Sequence, residues 1–486
     1  MIKVLAALVP LVCWACGGGG GGSGGDGIGI GGSSGGGGGG TGGGGTGGGT
    51  GSPTCTPNGF DGSAAAPNGT IQHSYLLSQP ITGVANNGSG LVRLTVSSTA
   101  DLRTDSTRVV ASVVGATEAN GSWTINVVDA THVDLQSSLY SSLFSEAYVS
   151  GGTLGYAKMP TWCVAGVNYA VGPSSSVTLV DWYTYVQAGH VGVTMSGSSA
   201  PYLVSVTGSS VVLNGVDFST STSHGNATLF ITSCTGCSVT NSNFGPGTTG
   251  YGSNNYIINT DSGSPNFTFN NNIVDGGSLV ASPSSEPVPI ISSGGGTTTL
   301  EYNWFKNSAQ QALSEGTPAS GSSLIDKYNF FDTVNVYPGN HMNYLQWVGA
   351  GGTITNPVVA YNTSYQTSLG GAEGYQWGWA GGGGSPTFTE VNPLLANNVE
   401  IALPNGGANT MSYINHGPAG ANTDVSGGVA ENNYIDPTGT ISGTSVGAFY
   451  PGSFQAYSSG LYSGSTWSFS NNWNMATGVA LSNTPP

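Results

Sequence analysis

Short apolar segments alternate with polar turns from about Pro160 to the last residue, Pro486. Each segment has an aromatic or aliphatic residue, then Asn, then another aromatic or aliphatic residue. The copies lie at 269–273, 302–305, 328–331, 361–363, 396–399, 432–435 and 471–473. The marker residues Asn271, Asn303, Asn329, Asn362, Asn398, Asn433 and Asn472 give steps of 32, 26, 33, 36, 35 and 39 residues. A fixed motif at variable spacing predicts a solenoid whose insertions lie in loops.

The residue types within each copy indicate strands. Aromatic and β-branched residues fill the motifs, whereas Gly, Ser, Asn and Pro fill the intervals, which favours short strands joined by turns over helices. The prediction is an all-β fold, a parallel β-helix of about nine coils that is roughly 40 Å long. The recurring Asn predicts a polar ladder, because Asn tolerates turn backbone and its amide bonds to the next coil.

Residues 79–157 precede the solenoid and alternate strand-like runs with turn signals, which predicts a small β-module. Asn120 and Gly121 supply a hairpin-type turn before the run at 123–128. Every Arg of the chain lies in this module, at Arg93, Arg103 and Arg108. They are predicted to be solvated surface charges rather than a binding patch.

The first residues predict export. Residues 1–16 have one cation and then an apolar run that suits a signal peptide but is too short to span a bilayer. Ala15 before Cys16 resembles the end of a bacterial lipobox, so two alternatives stay open, a lipid on Cys16 and plain secretion. Residues 17–56 are a Gly-rich linker, predicted to be a disordered tether. The expected location is extracellular or on the outer cell surface, with membrane contact only through that lipid.

Charge and cysteine usage narrow the partners. The net charge is −16 with seven Lys and Arg, which argues against nucleic acid, because such binding needs cations on the phosphates. A neutral polysaccharide is the better expectation. Outside residues 1–16 the cysteines number four, an even count that suits an oxidising compartment. Cys234 and Cys237 are predicted to form a local bridge or two packed thiols, rather than a zinc site.

Several stretches resemble known families. The sequences PTWCVAGVNY at 160–169, EYNWFKN at 301–307 and GNHMNYLQ at 339–346 resemble the superfamily typified by pectate lyases, and more narrowly bacterial surface β-helix repeat proteins. The resemblance covers 160–486 and implies a right-handed parallel β-helix; lyases, hydrolases, epimerases and adhesins share this fold. Residues 115–135 resemble a β-barrel module of phage tail and bacterial surface proteins, which implies spacing or attachment.

Register along the repeat predicts two inter-coil ion pairs. Lys306 and Asp332 each follow their marker Asn by three residues, and Glu301 and Lys327 each precede theirs by two. Each pair should therefore stack one strand spacing apart. One interpretation is structural, with exposed pairs contributing about 0–1 kcal/mol each. The other assigns Lys306 and Asp332 to a catalytic groove.

The segment after this register predicts further site residues. The resemblance implies the pattern His-x-Asp-aromatic-x-Gln here, and this chain has His341, Asn343 and Gln346, followed by Trp347. One interpretation makes His341 a general base, with Lys306 or Lys327 neutralising a uronate carboxylate and stabilising the enolate-like intermediate of β-elimination. Asn343 replaces the expected acid, which weakens metal binding or acid catalysis there. An ordinary polar role for His341 is the alternative.

Hydrolysis requires two carboxyl groups about 5–5.5 or 6.5–9.5 Å apart. The candidate pairs are Glu301 with Asp326, and Asp326 with Asp332, provided that each pair faces one groove. The Arg base and clustered calcium-binding Asp residues implied by pectate lyases are not evident in the solenoid. No metal or cofactor is therefore predicted, and Ca²⁺ has no support.

Trp377 and Trp379 lie in the sequence YQWGWAGGGG, which predicts an exposed loop. Its rings either stack on sugars or cap the solenoid. The predicted substrate-binding set is Asn343, Gln346, Trp347, Trp377 and Trp379. Two functions remain open, a polysaccharide lyase or hydrolase, and a non-catalytic surface adhesin or matrix protein.

Overall fold

A computed structural model describes much of the chain beyond residue 70. The described ranges are 71–140, 146–200, 202–219, 224–245, 256–261, 263–276, 288–292, 295–307, 313–315, 321–333, 343–349, 352–366, 374–380, 388–402, 412–414, 423–436, 454–456 and 467–481. The predicted signal peptide at 1–16 and linker at 17–56 lie outside them.

The first six strands form a closed antiparallel barrel in the order β1-β2-β5-β4-β3-β6. The strands are β1 Ser78–Asn86, β2 Val92–Val96, β3 Thr107–Val114, β4 Gly121–Val127, β5 His132–Leu135 and β6 Ser150–Gly155, with a 3₁₀ turn at Thr117–Ala119. In β2, the residues alternate between buried and half-buried positions, as expected for a strand with one face on a core. Leu94, Ile125 and Val133 are fully buried at its centre. The predicted small β-module is therefore a barrel.

The rest of the described chain forms a parallel β-helix with three long sheets. The first sheet has nine strands, at Val212–Asn214, Ser238–Thr240, Thr268–Asn270, Thr297–Glu301, Ser323–Lys327, Val358–Ala360, Leu394–Ala396, Gly428–Glu431 and Trp467–Ser470. The second, which we call the barrel-facing sheet, has ten, at Val180–Asp181, Val216–Phe218, Asn243–Phe244, Ile273–Asp275, Trp304–Lys306, Phe330–Asp332, Thr363–Gln366, Val399–Ala402, Tyr434–Asp436 and Trp473–Asn474. Each coil thus adds one strand to each sheet, as a solenoid requires.

The third sheet also has ten strands, at Val193–Ser196, Tyr202–Ser209, Ala227–Thr235, Tyr256–Thr260, Val288–Ser292, Leu313–Glu315, Asn343–Gly349, Gly374–Ala380, Ser412–Ile414 and Phe454–Ala456. Its first two strands are antiparallel. A short sheet adds three strands, at Gly352–Thr355, Phe388–Val391 and Thr423–Ser426. The short helix Trp182–Gln187 lies near the first coil, and the Asp181 carboxylate caps it by accepting from the backbone N–H groups of Tyr183 and Thr184.

A ladder of buried Asn residues joins successive coils. The members are Asn272, Asn303, Asn329, Asn362, Asn398, Asn433 and Asn472, each at most 1% exposed. In a typical step, the Asn303 side-chain amide donates to Asn329 Oδ1 at 2.9 Å and to the Phe269 carbonyl oxygen at 2.7 Å. Burying these amides is favourable because each donor and acceptor is used. The ladder confirms the predicted bonding between coils.

The marker in the first copy was wrong by one residue. Asn272 belongs to the ladder, whereas Asn271 has φ +57°. In every copy the residue before the ladder Asn has this left-handed backbone, including Tyr302, Tyr328 and Tyr361. The turn therefore uses the preceding position, where a non-Gly residue is uncommon, and the buried Asn supplies only the bonding. The error arose because Phe269-Asn-Asn-Asn-Ile273 offers three Asn residues in a row.

Two other interior features stabilise the coils. Phe218, Phe244, Phe269, Phe305 and Phe331 form a column of neighbouring rings, with centroid separations between 4.8 and 6.4 Å. Cys234 and Cys237 form a disulfide across the turn between two strands. The local bridge is thus confirmed over packed thiols or zinc.

The barrel packs directly on the barrel-facing sheet. Arg108 on β3 is 1% exposed, and its Nη1 lies 3.7 Å from Oδ2 of Asp436, which is also buried. Tyr156 donates to the same Asp436 oxygen at 2.8 Å, while its ring lies 4.0 Å below the Arg108 guanidinium carbon. The prediction that Arg108 is a solvated surface charge was wrong, because the barrel is docked on the solenoid rather than separated from it. Arg93 remains 30% exposed, paired with Asp134.

Candidate functional site

One outward column of the barrel-facing sheet carries charge. Its members stack in the order Asp275, Lys306, Asp332, Tyr365, Ile401 and Asp436. The predicted register of Lys306 with Asp332, and of Glu301 with Lys327, is confirmed. A parallel β-helix therefore places residues 26 apart in sequence on adjacent strands, as the repeat analysis required.

The predicted ion pair between Lys306 and Asp332 was wrong. The Lys306 ammonium lies 3.3 Å from the carboxylate of Asp275, on the other neighbouring coil, and 4.3 Å from the ring centre of Trp304. A lysine in this column has an acid on both sides, and the Asp332 carboxylate is already used elsewhere. Sequence register identifies the neighbours but not which of two equidistant partners is taken.

Asp332 binds a histidine from far away in the sequence. His73 Nε2 lies 3.3 Å from Asp332 Oδ2, and His73 Nδ1 lies 2.5 Å from Asp101 Oδ1 on the barrel. The imidazole thus joins a barrel carboxylate to a β-helix carboxylate across 259 residues of sequence. Trp304 Nε1 also donates to Asp332 Oδ2, at 3.3 Å.

His73 was missed by the sequence analysis. It lies in the short stretch between the linker and β1, outside both the repeat and the module, so no periodicity relates it to Asp332. The neighbouring residue Gln72 also makes a long-range contact, because its side-chain amide donates to the Val171 carbonyl oxygen at 2.9 Å. Residues 71–77 pack on the solenoid through tertiary contacts that no pattern in their own sequence predicts.

The two carboxylates change the protonation of His73. Burial acts to lower the pKa of His73, but the hydrogen bonds to Asp101 and Asp332 and their charges outweigh it and raise the pKa to about 9. The imidazole is therefore a cation at neutral pH. Its ring also packs 4.7 Å from that of Tyr365 and 5.3 Å from that of Phe330.

A glycine makes this packing possible. An added Cβ at Gly166 would lie 2.7 Å from Phe330 Cγ, and Gly166 has φ +71°. Its carbonyl oxygen accepts from the His73 backbone N–H at 2.8 Å. Only Gly combines this backbone with such a close approach, so Gly166 fixes the segment that carries His73.

An open cleft of about 430 Å³ surrounds the bridge, and we call it the junction cleft. It is lined by Gln72, His73, Ser74, Tyr75, Ser98, Ala100, Asp101 and Arg103 from the barrel side, and by Asp332, Thr333 and Tyr365 from the β-helix. Tyr365 is 2% exposed, and no described residue forms a hydrogen bond with its hydroxyl. Burial is the largest cause that raises the pKa of Tyr365, so the phenol is a neutral donor.

Arg103 lines this cleft and bonds to backbone carbonyl oxygens rather than to a carboxylate. Its Nη1 donates to the backbone carbonyl oxygens of Ala100 and Leu102, at 2.9 and 2.7 Å. Within the described part of the chain, no carboxylate lies within ion-pair distance of Arg103. The Nε and Nη2 donors remain for a ligand, because a guanidinium has five N–H groups.

The predicted substrate-binding residues lie on strands of the third sheet. Asn343, Gln346 and Trp347 lie on one strand of the third sheet, and Trp377 and Trp379 lie on the next strand. The exposed loop predicted for the two Trp residues was therefore wrong, because the backbone is extended and paired on both sides. His341 lies outside the described residues. The aromatic residues of this stretch are compatible with a strand, but the run of Gly after it was interpreted as a loop.

Neither predicted hydrolase pair faces one groove. Asp326 is 1% exposed in a column of the first sheet that has Leu300 on one side and Val359 on the other. Glu301 and Asp332 lie in outward columns, and neighbouring positions on a strand point to opposite faces. In the ranges given above, no three His, Cys, Asp or Glu side chains are arranged to bind a metal ion. The same ranges contain no helix that is long and apolar enough to span a membrane.

Comparisons with known proteins add little to this geometry. No protein-family model matches the chain, and no curated protein matches its sequence. Among solved structures, the tailspike protein gp49 from Pseudomonas phage LKA1 is similar at 12% identity with a TM-score of 0.20. The match covers 83% of this chain and 62% of the tailspike, so the chain spans less than two thirds of that protein's length. At this TM-score the likeness does not inform on function.

Proposed function

We propose that this is an exported, surface-associated protein that binds a polysaccharide in the junction cleft without cleaving it. The observation that carries the proposal is the convergence of Arg103, Asp101, Asp332 and the half-buried Tyr75 ring in one open concavity. Carboxylates and guanidinium groups bond to sugar hydroxyls, and an aromatic ring offers an apolar face to a sugar ring. A few convergent polar groups beside aromatic rings are typical of ligand sites.

Arg103 sharpens the class of glycan. Composition alone favours a neutral polysaccharide, because the chain is acidic and poor in cations. The free edge of Arg103 instead fits a planar carboxylate, which accepts two parallel N–H bonds from a guanidinium. His73 adds no net positive charge to the cleft, because it lies between Asp101 and Asp332, so the attraction for a carboxylate rests on Arg103. We therefore expect a glycan that carries carboxylates, such as a uronate polymer, to bind more tightly than its neutral counterpart.

Two observations favour binding over cleavage. A general base must accept a proton, and His73 is already protonated at neutral pH because of its two carboxylates. A glycoside hydrolase uses two carboxyl groups on either side of the scissile bond, but here the imidazole itself occupies the space between Asp101 and Asp332. The same bonds that position His73 thus withdraw it from base catalysis.

Binding isotherms of two matched Arg variants test the proposal. Arg103→Gln removes the free guanidinium, and the resulting loss of charge-assisted bonds of about 1.5–3 kcal/mol corresponds to a roughly ten- to hundredfold higher Kd for a uronate polymer. Arg93→Gln is the control, because Arg93 is paired with Asp134, and it should leave Kd unchanged. Equal Kd values for wild type and Arg103→Gln on every glycan that binds would reject the cleft. Depolymerisation by the wild-type chain that is lost in His73→Gln would replace binding with catalysis.

A further inference from the structure

The interior of the β-helix contains an acid in a column of apolar side chains. Phe269, Leu300, Asp326, Val359, Leu395 and Ala430 stack in register along the first sheet. Every member of this column is at most 1% exposed. Asp326 therefore occupies a position that its neighbours fill with hydrocarbon.

A second acid interrupts the short three-stranded sheet. Glu390 pairs in register with Ile354 on one side and Val425 on the other. It is 0% exposed, and neither of its side-chain oxygens has a hydrogen-bond partner among the residues that the structure describes. An ionised carboxylate in this position would be among the most costly groups to bury, since neither a cation nor a donor offsets its lost hydration.

The surroundings of both acids are uncharged. Asp326 accepts from the Asn329 side-chain amide at 2.5 Å, and Asn362 also bonds to it. The strands beside Asp326 present Leu300 and Val359, and no described ionisable side chain acts on Asp326 or Glu390. Burial accordingly raises the pKa of Asp326 to about 7 and that of Glu390 to about 8.

We infer that Asp326 and Glu390 are neutral carboxylic acids in the folded β-helix, so that folding takes up protons and the solenoid becomes less stable toward alkaline pH. The direction of this pH dependence follows from the linkage between proton binding and folding. The folded chain holds more protons than the unfolded chain between the unfolded and folded pKa values, so the unfolding constant rises with pH in that window. For Glu390 the window runs from 4.5 to about 8, and for Asp326 from 3.8 to about 7. The inference does not depend on glycan binding.

Denaturant unfolding of the full chain from pH 4 to pH 9 tests this inference. Each buried acid should raise the unfolding constant by up to about tenfold per pH unit within its window. Asp326→Asn and Glu390→Gln should each remove one such contribution, so each variant gains stability relative to wild type as pH rises. Glu431→Gln is the matched control, because Glu431 lies in the outward column of the same sheet and should keep the wild-type pH dependence. Variants that follow the wild-type pH dependence would overturn the inference.

Infrared spectroscopy supplies a readout that needs no unfolding. The folded wild-type chain at pH 6 should show the C=O band of protonated carboxyl groups, and this band should weaken in Glu390→Gln but not in Glu431→Gln. If a variant fails to fold, the C=O band of the wild-type chain still shows whether protonated carboxyl groups are present. Its absence at pH 6 would show that both acids are ionised and would reject the inference.

Discussion

Two regions of this molecule hold acids that have little or no exposure to solvent, and the two regions treat these acids differently. At the junction, Asp332 meets His73 and Asp436 meets Arg108, so each carboxylate has a cation. Inside the β-helix, Asp326 and Glu390 have no cation. A solenoid interior repeats the same column in every coil and offers no place for a basic side chain beside an acid. The barrel brings a second surface, and from it His73 and Arg108 reach the outward column, in which Lys306 pairs with Asp275. Paired charges therefore lie along this outward column, including the junction, where the candidate site lies.

Removing a junction cation should have the largest effect on stability. Arg108→Met leaves Asp436 buried without its cation, which is expected to lower the free energy of unfolding by about 3–5 kcal/mol. The control is Arg93→Met on the pair with Asp134, in which the Arg93 side chain is 30% exposed. Solvent screens this charge, so the loss is expected to be smaller than at Arg108. Urea unfolding measures both.

A double variant separates the ion pair from the packing around it. Arg108→Met combined with Asp436→Leu removes both charges and should recover much of the loss, because a buried pair and an apolar replacement are often close in stability. Losses that simply add in the double variant would show that the charges at the junction are not coupled.

In the interior of the β-helix, the loss of an uncharged hydrogen-bonding side chain from the Asn ladder should lower the free energy of unfolding. Asn398→Ala leaves the Val359 carbonyl and the Asn362 N–H buried without their partner, at about 1–3 kcal/mol for each group. Asn397→Ala, one residue earlier at φ +57°, should cost only about 1–2 kcal/mol of backbone strain. Comparison of the two unfolding midpoints checks this order, and a larger loss at Asn397 would contradict the ladder.

His73 should give the junction its own pH dependence. Its pKa rises from 6.5 to about 9 on folding, a difference of about 2.5 units or roughly 3 kcal/mol at 1.36 kcal/mol per unit. Because the folded pKa is the higher one, this stability is fully present below pH 6.5 and is lost as pH rises through 9.

Unfolding of His73→Gln measures this contribution. The variant should lose the decline between pH 8 and 9, above the windows of Asp326 and Glu390, and should show a shallower decline than wild type between pH 6.5 and 8, where Glu390 still contributes. An unchanged curve between pH 6.5 and 9 would show that the imidazole is not held between the two carboxylates.

The sequence predicted the fold far better than the site, for a physical reason. Stacked coils repeat the same turn, so Asn303 and Asn329 are visible as a pattern, and register correctly places Lys306 beside Asp332. The contact between the barrel and the solenoid occurs once, so no repeat in the sequence reveals it. Nothing local to His73 or Arg108 indicates that each will meet an Asp of the solenoid, and so Arg108 was assigned to the surface. The predictions of a Lys306–Asp332 ion pair and of an exposed Trp loop were wrong for a related reason. A pattern of residue types indicates which residues are neighbours, but it does not determine which side chains form contacts.

The most direct test of the account is a crystal structure of the full chain with a bound uronate oligosaccharide. We predict sugar density in the junction cleft, with a carboxylate against the free edge of Arg103 and a sugar ring near Tyr75. Sugar density on the third sheet near Trp347 or Trp377, with the junction cleft empty, would contradict it.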